Sequence, residues 1–323
     1  MKLSDYMAVT QDTEGVLGKI IYYSVSNILI DRDEFQQIGK DFGLAKVKPA
    51  RESPADAFSK ATTALYERIT VKNGSTPTIY RVYCRNNKRT EKDIVSRELV
   101  KEEPGETTNS YTKLMNIEFD KANESISFFN KAYDSHVDIE SFCDETRRLY
   151  DLYRTCYNST HVETVLEDLL QGMQASKISI RGRIFFVPKQ NLGYVSLFED
   201  YIDAISKKNN NVGDVVCNSM FVVDDEKQRE KMKDEFYANY KRDIEEYQVR
   251  IQNFIANGGN SKAVIERWLK RIDDLKAKKA TYEDVLRQQL NGLEEDFDVL
   301  NVQAQELAIR SGIFQQGTLL TAA

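Results

Sequence analysis

An α+β fold is predicted by three observations on this 323-residue chain. Residues 77–130 carry short β-branched and aromatic runs separated by turn-prone residues. Residues 133–206 alternate capped apolar helices with two short strands. From residue 224 onward the apolar positions recur at spacings of 3 and 4, the helical period. The expected architecture is an N-terminal antiparallel sheet with helices, a central helix–helix–hairpin region and a long C-terminal antiparallel helical hairpin.

The first elements follow from local chemistry. Residues 19–30 (KIIYYSVSNILI) read as one long or two short strands. Asp31 is placed to cap a helix, with Glu34 three residues on as its capping-box partner. Ser53, Pro54 and Asp56 mark a second helix start, with a cap hydroxyl, a preset φ and a negative charge at the positive helix end. Ala57, Phe58, Ala61, Leu65 and Ile69 give that helix an apolar face. Strands are expected at 78–84, 93–101, 111–119 and 125–129. Sequential strands on short links favour an antiparallel meander.

A helix is expected over 138–157 and another after Thr160 and Glu163, which form a capping box. Strands at 177–180 and 183–187, a helix at 194–206 and a strand at 215–223 follow. Residues 257–260 (NGGN) break the helical C-terminal region. The resulting division is an α+β domain at 1–132, a mixed region at 133–223, a helical hairpin at 224–311 and a frayed tail at 312–323.

Composition bounds the function. Hydrophobic residues make up 41% of the chain, enough for a real core, and Gly and Pro number only 15 and 5. Collagen-like and low-complexity classes are excluded. The net charge of −6 is spread along the chain, with no acidic or basic tail. No apolar run approaches the roughly 18 residues of a membrane span. Residues 1–10 lack a signal-peptide pattern, and the four cysteines form no Cys-x-x-Cys pair. The expectation is a soluble protein of a reducing cytoplasm with no membrane partner.

Three blocks carry a family resemblance: 51–62 (RESPADAFSKAT), 182–188 (GRIFFVP) and 223–229 (VDDEKQR). In content, order and rough spacing they resemble a family of uncharacterised prokaryotic and phage proteins. The resemblance implies a bacterial, archaeal or phage origin and names no activity. It leaves mobile-element roles open, including antagonism of a host defence complex.

Candidate chemistry is sparse. His136 and His161 sit beside helix starts with acidic neighbours, where exposed terminal histidines are the ordinary reading. Cys84 and Cys217 fall in apolar strands, and Cys156 lies five residues before His161 across a helix break. No metal-ligand spacing or phosphate loop occurs. No catalytic residue, metal or cofactor is therefore assigned.

Two binding surfaces remain. The large apolar residues Phe236, Tyr240, Tyr247, Ile251, Trp268, Leu269 and Ile272 lie on a stripe that an isolated two-helix hairpin cannot bury. The leading expectation is a non-enzymatic interaction protein that uses this stripe for self-association, for a partner protein complex, or for both. The alternative is nucleic-acid binding. Residues 138–188 have the element order of a winged helix, with Arg181, Arg183 and Lys189 around its hairpin. Arg81, Arg85, Lys88 and Arg89 surround the first meander turn and include Tyr83 among them. An enzyme with a site assembled from distant residues is the third reading.

Overall fold

β1 (Val16–Val25) and β2 (Leu29–Asp31) divide the apolar run at 19–30 in the computed structural model. The structure describes residues 15–44, 52–73, 76–87, 92–105, 108–178, 182–213, 215–257, 262–292 and 294–310. Asn27, at φ 59°, turns the chain between the two strands. Asparagine tolerates that left-handed conformation better than most residues. The Asp31 carboxylate accepts the amides of Asp33 and Glu34 and starts α1 (Arg32–Asp41). The Ser53 hydroxyl accepts the Asp56 amide at 3.1 Å and starts α2 (Pro54–Ala64).

The apolar stripe of α2 was expected to run on through Leu65 and Ile69. The helix instead ends at Ala64, and Leu65 is extended at φ −68° and ψ 110°. The β-branched and aromatic residues that follow form β3 (Tyr66–Asn73), paired in an antiparallel hairpin with β4 (Thr76–Asn86). Cross-strand pairing outweighs the helical spacing there. β5 (Ile94–Glu103), β6 (Ser110–Asp120) and β7 (Ser125–Phe129) complete a five-stranded sheet in sequence order, the expected meander with one more strand.

α3 (Ile139–Thr155) is capped by Asp138, and β8 (Cys156–Asn158) then pairs with β2. α4 (Ser159–Gly172), β9 (Ser176–Lys177), β10 (Ile184–Pro188), α5 (Leu192–Ser206) and β11 (Val215–Val223) follow. A second sheet has the order β11-β1-β10-β9. The C-terminal region holds α6 (Glu226–Asn257), α7 (Lys262–Leu286) and α8 (Glu294–Arg310). Its described residues thus form three helices. The second break follows Leu286, where Arg287 (φ 51°) and Gly292 (φ 93°) take left-handed conformations. Of the expected breaker at 257–260, Asn257 ends α6, while residues 258–260 and the tail from 312 lie outside the described residues.

The chain divides into two compact units that interleave in sequence. One groups residues 1–24, 166–203 and 215–323; the other groups 25–165 and 204–214. The sequential division at 132 and 223 does not describe this grouping, because β1 pairs with β10 more than 150 residues away. The winged-helix reading of 138–188 loses its basis in the same way. α3 belongs to the unit with the five-stranded sheet, while β9 and β10 belong to the other unit, with β10 paired on both sides.

In the first unit, Phe236, Tyr240, Ile251, Ile272 and Tyr282 are enclosed with Leu17 and Phe186. Tyr282 stacks on Phe236 at 3.9 Å, and its hydroxyl donates to the carbonyls of Phe186 and Gln174 at 3.1 Å each. In the second unit, α2 and α3 cover one face of the five-stranded sheet. Phe58, Ala61, Phe142 and Leu149 meet Val82, Leu99, Met115 and Phe119.

One ion pair ties the start of α6 to the end of α7. Asp224 is 2.5 Å from Arg229 and 3.0 Å from Arg287. The Arg229 hydrogen bond holds the Asp224 carboxyl below its ordinary value, with help from the Arg287 charge. A carboxyl depressed in the folded state stabilises above its unfolded pKa, about 4, and loses that contribution as pH falls. Acid unfolding of Asp224→Asn should therefore depend less on pH below about 4 than that of the parent. Urea midpoints measured across that range check this.

Candidate nucleic-acid interface

The register of the five-stranded sheet decides which side chains share its second face. Tyr66 pairs with Tyr83, and Arg68 with Arg81. Arg81, Tyr83 and Arg85 oppose Glu102, Val100 and Glu98. These residues alternate with Val82, Cys84 and Leu99, whose side the helices cover. On β6 the alternation is interrupted, because Leu99 opposes Met115 while Val100 opposes Lys113. The additional residue, Leu114, is a β-bulge and is buried. A bulge shifts the parity of everything beyond it. Tyr111 and Lys113 consequently stand on the second face, although Met115 stands on the first.

Two rows cross this face. One runs Arg68, Arg81, Glu102, Tyr111; the next runs Tyr66, Tyr83, Val100, Lys113. Phe129 extends a third row from Arg85 through Glu98 and Asn116. Tyr66, Tyr111 and Phe129 are 61%, 49% and 47% exposed.

The charges on this face are layered. Arg85 and Lys113 both reach Glu98, at 3.0 and 3.2 Å. Burial works to raise the Glu98 carboxyl, and the bonds from Arg85 and Lys113 overcome it and hold the group below the usual range. Tyr111 and Asn109 donate to Glu102, and Arg81 lies 4.0 Å from it. The Glu98 and Glu102 side chains are only 14% and 7% exposed, against 45% for Arg85, 41% for Lys113 and 49% for Arg81. The carboxylates lie low and the cations stand above them. Arg85 also lies over the Tyr111 ring at 5.4 Å. With Arg68 and Lys72, both exposed, five cations on this face stand against four carboxylates, Glu98, Glu102, Glu118 and Asp120.

A family model described as "Family of unknown function (DUF6744)" matches residues 16–316. The chain belongs to that family. No curated protein and no solved structure matches it.

In this DUF6744 chain, Arg81 and Arg85 come together with Tyr83 as the sequence suggested. Lys88 and Arg89 lie outside the described residues, as does Arg181. Arg183 and Lys189 belong to the other unit. Arg183 lies over the Tyr23 ring at 5.9 Å, and Lys189 contributes to the positive surroundings of Asp224. Tyr66, Arg68, Tyr111 and Lys113 were missed. The first two fell in a segment read as helix, and the face of the others depends on the bulge.

The apolar stripe proves to be interior. Phe236, Tyr240, Ile251, Trp268 and Ile272 are 1–6% exposed. Tyr247 and Leu269 are half-buried against the same cluster. This corrects the expectation of an open interface. α8 and the β1–β10 sheet supply the packing surface that a two-helix hairpin lacks.

The histidines and cysteines have structural surroundings. His161 Nδ1 accepts the Asn158 amide at 3.3 Å, and its Nε2 lies 3.4 Å from Glu52. Glu52 Oε1 also accepts from Lys60 at 2.5 Å and from Asn158 Nδ2 at 3.1 Å. The cluster fixes the start of α4 against the segment that leads into α2. Glu52→Ala would strip an acceptor from three donors and should cost about 1–3 kcal/mol in chemical denaturation. His136 stacks on Tyr80 at 6.2 Å. Burial pushes the Cys84 and Cys217 thiols up to about 12, the reverse of an activated nucleophile. Among the described residues no three His, Cys, Asp or Glu side chains are grouped to hold a metal ion. No described helix is long and apolar enough to cross a membrane. An open cleft of about 210 Å³ between Tyr66, Glu67, Phe142 and Glu145 is smaller than an ordinary ligand pocket.

Proposed function

We propose that the protein binds single-stranded nucleic acid on the face of its five-stranded sheet opposite α2 and α3, without catalysing a reaction. Phosphates would lie against Arg68, Arg81, Arg85 and Lys113. Unpaired bases would stack on Tyr66, Tyr83 and Tyr111, since every base offers a π face and a duplex hides it. The observation that carries the reading is the layering. Exposed tyrosines and cations share one face, and Glu98 and Glu102 beneath them are recessed and already bonded. The chain is acidic overall, so the reading rests on this local surface and not on bulk charge. The three sequence blocks support a prokaryotic or phage setting for this activity.

The test is fluorescence anisotropy with labelled single-stranded and duplex oligonucleotides of one sequence. The single strand should bind more tightly. With four phosphate contacts, its affinity should fall about 50-fold between 50 and 200 mM salt. Equal binding of duplex and single strand, or affinity independent of salt, would refute the proposal.

A further inference from the structure

We infer that β11 is a self-pairing edge, through which two copies of this chain join in antiparallel register about Ser219. β11 ends the order β11-β1-β10-β9, so its outer edge has no strand beside it among the described residues. Natural proteins guard such edges with charge, proline, a bulge or shortness. The opposite edge of this sheet, β9, spans only two residues. β11 spans nine (VVCNSMFVV), with no charged residue and no proline. Met220, Phe221 and Val223 on it are 53%, 59% and 54% exposed.

The occupant is argued from the order of residues in the strand. A two-fold axis at Ser219 sets residues equally far before and after it directly opposite one another. Val215 then meets Val223, Val216 meets Val222, Cys217 meets Phe221, and Asn218 meets Met220. Three of these four pairs match apolar with apolar, and none opposes two charges. Cross-strand neighbours of this kind are the unit of sheet stabilisation. The pairing spans the whole strand and ends where the strand ends. Lys19 lies over the Phe221 ring at 4.6 Å. A foreign strand would find the same free backbone groups but would have to supply this mirror order by chance. The two sheets would become one of eight strands.

The experiment uses the full chain at micromolar concentration in light scattering coupled to gel filtration. The expected mass is twice 37.2 kDa. Met220→Lys, at an exposed position, should return the mass to 37.2 kDa with an unchanged circular dichroism spectrum. Ser219→Cys provides a second reading. Only the residue on the axis faces its own copy, with Cβ atoms about 4.5–5.5 Å apart, close to disulfide reach. Mild oxidation should give a covalent dimer with Ser219→Cys and none with the parent protein. A monomer mass for the parent, or a dimer in which Ser219→Cys fails to cross-link, would overturn the inference. If Met220→Lys misfolds, the Ser219→Cys cross-link decides. Oligonucleotide binding by the five-stranded sheet is read separately, so either proposal can fail without the other.

Discussion

Phe236→Ala is expected to cost about 3–5 kcal/mol of stability, as truncating a buried Phe generally does. Phe236 is 2% exposed and stacked on Tyr282 at 3.9 Å, and Tyr282 holds the carbonyls of Phe186 and Gln174. Removing the ring leaves a cavity beside a tyrosine whose orientation is fixed by both of its hydrogen bonds, so collapse into the space is restricted. Trp268 is the only tryptophan and meets Tyr247 edge-on at 5.2 Å in the same unit. Its fluorescence during urea unfolding therefore reports this unit. The midpoint should fall sharply. A variant that kept its midpoint and changed only its molecular mass would mean that the helical stripe is an interface after all. Tyr240 and Ile272, equally enclosed, should behave as Phe236 does.

Tyr66→Ala combined with Tyr111→Ala is expected to abolish most single-strand affinity. Base–aromatic stacking is worth about 1–3 kcal/mol per base, or roughly 5- to 150-fold for each tyrosine. Both side chains are exposed, so folding should tolerate the changes. Tyr→Phe at the same positions keeps the ring and should keep most of the affinity. Arg85→Ala should act differently. It should lower affinity and also flatten the salt dependence by about one counterion. It would also free Glu98 of one of its two cations. A loss on Tyr→Ala equal to that on Tyr→Phe would show that the rings do not stack on bases.

The sequence readings that held were local. Asp31 and Ser53 act as helix caps because a short acceptor side chain needs only its own next few amides. The meander held because sequential strands on short links find each other first. Arg81, Tyr83 and Arg85 were legible as a cluster because they lie on one strand and its turn. Tyr66 and Arg68 were not. Leu65 and Ile69 mimic a helical stripe, and only the hairpin partner reveals the strand. Tyr111 and Lys113 were hidden differently. Their strand was expected, but one bulged residue sets which face they take.

By itself, the sequence determined the fold class, most of the element boundaries and the apolar identity of the C-terminal stripe. Tertiary structure decided what that stripe packs against, which strands share a sheet and which residues share a face. The stripe is filled from within because α8 and a strand pair separated by more than 150 residues close over it. Caps and periodicity act over a few residues, within reach of any reading of the chain. Register, parity and burial are set by contacts between distant segments, and no local pattern encodes which of them will meet.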